Sequence, residues 1–204
     1  MFKKKEVIFI KEIIVNSNIN NKSEINLIEN GNTILKAECF IGKNGITDNK
    51  KEGDNKTPIG TFKFGLAFGF HNKEEVCIKM EYVQINKDLY WVDDVNSKFY
   101  NQLIKLEDDD IKNDNQAEYE KDYLITIKKE EKDWKYAEHL IDFKIQYELG
   151  IEIKVNPLNI KGKGSAIFLH CKKENYTRGC VSVDKQIMEK ILDFIDSETQ
   201  ITIK

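Results

Sequence analysis

The sequence predicts a mainly β domain with one or two short helices. Three observations carry that expectation. Apolar and β-branched residues alternate in short runs along most of the chain, an Asn-Gly pair splits one such run into a hairpin, and a clear helical period appears only near the carboxyl end. The 204 residues, 40% hydrophobic and 33% charged, suffice for one sizeable core, and positions 1–204 are read as a single domain.

Taken in order, the alternation around Val7 to Val15 suits a strand. Met1 to Val15 begins with a basic cluster, but Lys11 and Glu12 interrupt its apolar stretch after four residues, so it is not read as a signal peptide. Glu24 to Phe40 reads as a hairpin turning at Asn30-Gly31-Asn32. Gly42 to Asn55 is a polar loop whose exit is pinned by Thr57-Pro58, since the residue before proline is pushed toward extended conformations. Thr61 to Phe70 is strand again, and the Thr57 to Phe62 segment is read as architecture rather than contact. Val76 to Ile85 and Leu89 to Val92 follow as strands, then a short helix near Asn96 to Leu106 and a charged surface loop from Glu107 to Lys121. From Tyr136 to Tyr147, Glu138-His139 precedes Leu140-Ile141 and an alternating strand.

Ala166 to Leu169 is apolar enough for a buried strand, with His170 where that strand leaves the core. Ile187, Met188, Ile191, Leu192 and Ile195 recur at steps of three and four, so a helix runs from an N-cap at Asp184 to Ile195. Gln200 to Lys204 closes the chain as a strand.

The composition excludes several classes. A net charge of -3 with intermixed signs leaves no basic face for nucleic acid. No stretch approaches the roughly 18 to 20 apolar residues of a transmembrane segment. The four cysteines form no disulfide framework and are expected as free thiols, and no short-spaced Cys or His pair suggests a metal. Gly162 to Ser165 lacks the spacing of a phosphate-binding loop, so no cofactor is expected.

Chemistry concentrates between Gly164 and Val183. After His170 a polar loop returns the chain through Thr177-Arg178-Gly179 to Cys180. A cysteine attacks as its thiolate, which a neighbouring imidazole and the Arg178 charge would favour. Gly179 allows close backbone approach, and the Gly179 and Cys180 N–H groups are candidate oxyanion donors. The plainer alternative is a buried free cysteine beside a satisfied core histidine. His139 is a further candidate for substrate contact, with a structural role as its alternative.

These residues resemble the catalytic domain of the L,D-transpeptidases (the YkuD-type family), whose signature is a histidine, a spacer, then Ser/Thr-His-Gly-Cys. Asp54 to Gly69 is similar to the family's Thr-Pro-x-Gly-x-Phe segment, preceded by the related Cys39 to Ile46 stretch, and Tyr90 to Gln102 is similar to a substrate-side segment in one branch. The resemblance is strongest over 26–204. The chain departs from the pattern at Arg178, where the family has a second histidine, in a shorter spacer, and in Val181-Ser182 after the cysteine.

What the resemblance implies is a sandwich-like mixed β-sheet and a cysteine acyltransferase acting on peptidoglycan stem peptides outside the membrane. Cys180 would be the nucleophile and His170 the base, with Gly179 and Arg178 supporting the charge that develops. Asp93, Asp94, Tyr100 and Asn101 would line the substrate side, with a plain solvated turn as the alternative reading. Transfer to an amine, hydrolysis as an L,D-carboxypeptidase, a catalytically silent wall-binding module and a thiol redox protein using Cys171 and Cys180 all remain open.

Overall fold

The computed structural model describes residues 10–18, 22–107 and 123–204. Most of the amino-terminal basic cluster and the charged insertion from 108 to 121 lie outside the described residues.

Short local signals become strands where the pattern demands them. Lys11–Ser17 (β1), Lys22–Glu29 (β2) and Asn32–Phe40 (β3) form an antiparallel meander. The β2–β3 turn uses positive φ at Asn30 and Gly31, as a tight primed hairpin requires. Ile46–Thr47 (β4) and Thr57–Pro58 (β5) pair briefly before the long strand Gly60–Gly69 (β6). Then come Tyr82–Gln84 (β7), Leu89–Val92 (β8), Leu103–Glu107 (β9), Ile125–Lys128 (β10), Ala137–His139 (β11), Leu149–Ile153 (β12), Phe168–Cys171 (β13), Val181–Val183 (β14) and Gln200–Ile203 (β15). The helix Lys185–Phe194 (α1) begins after Asp184 and buries Met188, Ile191, Leu192 and Phe194.

Among the described residues the principal sheet runs β12-β13-β14-β3-β2-β1-β15-β6-β7, and β12 also pairs with β6, so the sheet closes on itself. It is mixed, with β1–β15, β6–β7 and β13–β14 parallel. A smaller sheet, β10-β9-β8-β11, packs on its outside. The layers share a second apolar cluster in which the Phe168 ring meets Trp91 edge-on at 4.8 Å and Phe68 at 4.9 Å. β13 serves both layers because alternate residues face opposite sides. Leu169 and Cys171 enter the core with α1, while Phe168 and His170 face the smaller sheet and its cleft. The mainly β, mixed-sheet, sandwich-like architecture is therefore what the chain adopts.

Three local expectations are overturned. Asn96 to Leu106 is not a helix but a series of turns running into β9. Polar side chains there capture the backbone: Asp94 accepts from the Asn96 N–H (2.9 Å), Ser97 from Phe99 (2.9 Å), and Asn101 takes φ +60. Of Val76 to Ile85 only β7 is strand; Val76, Ile78 and Met80 pack against the core without joining the sheet. After β11, Leu140–Asp142 is a 3-10 turn rather than the start of a strand. Cys77 is likewise outside any strand, its thiol donating to Asp193 at 2.9 Å.

Candidate active site

His170 lies within β13, not at its exit, and is 93% buried (7% exposed). Its Nδ1 donates to the Cys171 carbonyl at 2.8 Å, because a carbonyl can only accept. The neutral ring therefore keeps its proton on Nδ1 and presents the Nε2 lone pair, the form a general base needs. Burial pulls the His170 pKa down to about 4, opposed by that carbonyl contact.

Cys180 approaches from the next strand. β13 and β14 pair in parallel with Leu169 opposite Val181 and His170 opposite Ser182, so the residue before Val181 flanks the strand that bears the imidazole. Cys180 and His170 line one cavity of about 440 Å³ with Glu138, Tyr147, Arg178 and Ser182. A second cavity of about 350 Å³ also reaches Cys180, lined by Glu52, Asp93, Glu138, Ser165 and Arg178 among others. The thiol thus stands where two cavities meet. Asp93 lines one and Ser182 the other, and the buried Asp93 Oδ1 and Ser182 Oγ have no hydrogen-bond partner among the described residues.

The turn that carries the thiol is held from several directions. The Cys180 carbonyl accepts from the Thr177 hydroxyl (2.6 Å) and the Thr57 hydroxyl (3.1 Å), while the Gly42 N–H donates to Thr57 Oγ1 (2.8 Å). The Thr57 to Phe62 segment is thus more than distant architecture, a link its sequence did not signal. Gly179 has φ +143, and a Cβ there would stand 3.1 Å from both Lys50 Nζ and the Lys56 carbonyl. Its smallness serves that contact. Its N–H donates to Thr177 Oγ1 at 3.1 Å, so of the two expected oxyanion donors one is already engaged.

The electrostatics also differ from expectation. Burial, then the Glu138 charge, push the Cys180 thiol up to about 12, against the Phe168 N–H and the charge of Lys50. The thiol donates to the Ala166 carbonyl (3.2 Å) and accepts from the Phe168 N–H (3.3 Å). In this state the pair is a neutral thiol and a neutral imidazole rather than an ion pair. Lys50, held by Asp54 at 2.5 Å and the Lys56 carbonyl at 2.9 Å, supplies the cation felt at the sulfur. The charge of Arg178 acts on Asp93 and Glu138 instead.

Of the expected substrate residues, Asp93 alone enters the cleft. Burial and then Glu52 raise its pKa. Asp94 points away and accepts from the Lys135 N–H at 2.8 Å. Tyr100 is buried behind the cleft, its hydroxyl donating to Glu52 at 2.5 Å. Asn101 ties loops together, accepting from the Trp91 indole (3.3 Å) and the Ala166 N–H (3.1 Å). His139 stacks on Tyr90 at 4.3 Å and contacts the Lys87 carbonyl at 2.7 Å, outside both cavities. Its neighbour Glu138 faces the thiol instead, since adjacent strand residues point to opposite sides. Cys171 belongs to the core with α1, whereas Cys180 packs against the cluster on the other face of β13, so their placement gives a Cys171–Cys180 redox pair no support.

A family model described as the L,D-transpeptidase catalytic domain matches residues 11–203. No curated protein matches the chain. Among solved structures, the helical cell shape determining protein Pgp2 from Campylobacter jejuni is similar at 13% identity and a TM-score of 0.47; the match covers 96% of this chain and 48%, under half, of that one.

Proposed function

Because this chain belongs to the L,D-transpeptidase catalytic domain family, matched over residues 11–203, we propose that it is a peptidoglycan enzyme forming a thioester on Cys180 with a stem peptide and passing the acyl group to an amine. The observation that carries this reading is the position of one thiol between two cavities, one of them shared with an imidazole whose Nε2 is free to take a proton.

In the proposed sequence the Cys180 thiol turns from the Ala166 carbonyl toward His170, which removes its proton as sulfur attacks the carbonyl between the L-centre of a diamino acid and a D-residue. The Cys180 N–H is the proposed donor to the oxyanion, the Gly179 N–H being held by Thr177. His170 then protonates the leaving amine, and the thioester remains. An amine entering the second cavity attacks next, giving a crosslink; water in its place gives a carboxypeptidase. The presence of two cavities beside Cys180 favours transfer. Asp93 is proposed to meet a substrate polar group there, and Ser182 another on the His170 side. Action at the cell wall is part of the same proposal; no helix of the described residues is long and apolar enough to cross a membrane.

A second reading, a silent peptidoglycan-binding module, draws on the Cys180 thiol being pushed up to about 12. Incubation with purified tetrapeptide muropeptides, followed by mass spectrometry of protein and products, separates the two. The enzyme gives an adduct at Cys180 and crosslinked or shortened peptides, both lost in Cys180→Ser and His170→Ala. Retention of muropeptide with neither adduct nor product rejects the enzymatic proposal.

A further inference from the structure

Glu138, Arg178 and Cys180 line both cavities. Glu138 enters from β11 in the smaller sheet and Cys180 from the turn before β14 in the principal one, so the two meet only across the layers. Tyr147 ties this carboxyl to the proposed base. Its hydroxyl donates to Glu138, and its ring packs edge-on against His170, centroids 5.7 Å apart at 81°.

A carboxylate sharing a cleft with a thiol opposes formation of a second negative charge there. Resting on the reading of Cys180 as nucleophile, we propose that Glu138 is a positioning residue acting through Cys180. While it carries an unneutralised charge it makes the thiol harder to ionise, and a proton or the ammonium group of a bound cationic peptide relieves that opposition.

The surrounding charges support this. Asp93 and Glu52 face the same cavity and add to the negative side, and Arg178 offsets part of it. Lys50, paired with Asp54, and Lys43 line that cavity too. Glu52 is occupied by the hydroxyls of Tyr100 and Ser165 (2.7 Å), whereas Asp93 Oδ1 has no partner among the described residues. Burial raises the Glu138 pKa to about 7, where the carboxyl changes state in the neutral range, and the Glu138 charge is the second largest influence raising that of Cys180.

The test is the pH dependence of Cys180 alkylation by iodoacetamide in the full chain, read by peptide mass spectrometry. The wild-type log rate is expected to flatten in a step near pH 7, where Glu138 loses its proton. Glu138→Gln removes the step and alkylates about tenfold faster above it, the change made by one unit of thiol pKa; Glu138→Asp restores the step. A wild-type profile of unit slope without a step overturns the proposal even if Glu138→Gln fails to fold. For the ammonium, the Glu138 carboxyl is titrated by carbon NMR with Nα-acetyl-L-lysyl-D-alanine or its norleucyl counterpart. A lowered pKa with the lysyl peptide alone supports the assignment; no shift with it, or equal shifts with both, overturns it. Neither readout needs turnover. A persistent step without muropeptide chemistry therefore rejects the proposed function and leaves the coupling in place.

Discussion

Thr57 and Cys180, separated by 123 positions in the chain, are joined by a hydrogen bond from the threonine hydroxyl to the cysteine carbonyl at 3.1 Å. The threonine Oγ1 in turn accepts from the Gly42 N–H. One side chain therefore links the β3–β4 loop, β5 and the turn that carries Cys180.

Thr57→Val keeps the shape and removes both hydrogen bonds, leaving the buried Gly42 N–H unpaired. The expected loss is about 1–3 kcal/mol in urea unfolding. A slower acylation of Cys180 is expected alongside it, with the thiol still present by titration. Unchanged stability would show the hydroxyl to be dispensable.

Gly179→Ala places a Cβ against Lys50 Nζ and the Lys56 carbonyl in a backbone conformation at φ +143 that side chains rarely adopt. The expected cost is about 1–3 kcal/mol. Because Lys50 must shift, the rate of Cys180 alkylation should change too; an unaltered rate would separate the glycine from the electrostatics of the sulfur.

Proton linkage distinguishes His170 from Glu138 by sign. His170 falls from 6.5 to about 4 on folding, so between those values the unfolded chain binds more protons, and its contribution is present above 6.5 and lost as pH falls. Glu138 rises from 4.5 to about 7, so its contribution is present below 4.5 and lost as pH rises through 7. The two oppose each other across the window they share. In urea melts between pH 4.5 and 6.5, His170→Gln should make stability fall more steeply with rising pH than in wild type, and Glu138→Gln should make it rise more steeply. Equal slopes in all three proteins would refute the burial of both groups.

Adjacent residues on β11 should differ in kind. His139→Ala removes a surface contact with Lys87 and Tyr90 and should leave muropeptide turnover intact, whereas Glu138→Gln should alter its pH profile. Asn101→Ala, by contrast, should cost at least about 2 kcal/mol of stability, because the Trp91 indole and the Ala166 N–H both lose their acceptor. Loss of turnover in His139→Ala at full stability would return that residue to the cleft.

Much of the fold was legible because its signals are local. Asn30-Gly31 turns the hairpin by its own backbone preference, and the spacing of Met188, Ile191 and Leu192 faces α1 inward wherever the helix docks. The helix expected over Asn96 to Leu106 failed because Asp94 and Ser97 hold the Asn96 and Phe99 N–H groups in turns and Asn101 takes a left-handed φ of +60, a competition that composition alone does not rank. That His139 lies outside both cavities while Glu138 lines them was hidden for a related reason. Alternation says that the two point apart, but not which side is the cleft.

Local pattern thus determined the strand-rich character of this chain, the helix near its carboxyl end, and the pairing of a strand-borne histidine with a cysteine in a turn. Only the tertiary structure decided that Glu138, Lys50 and Thr57 gather around Cys180, and that thiol and imidazole rest uncharged. Periodicity and turn chemistry act over a few residues, whereas burial and Coulomb interactions depend on groups that distant elements bring within reach of one another.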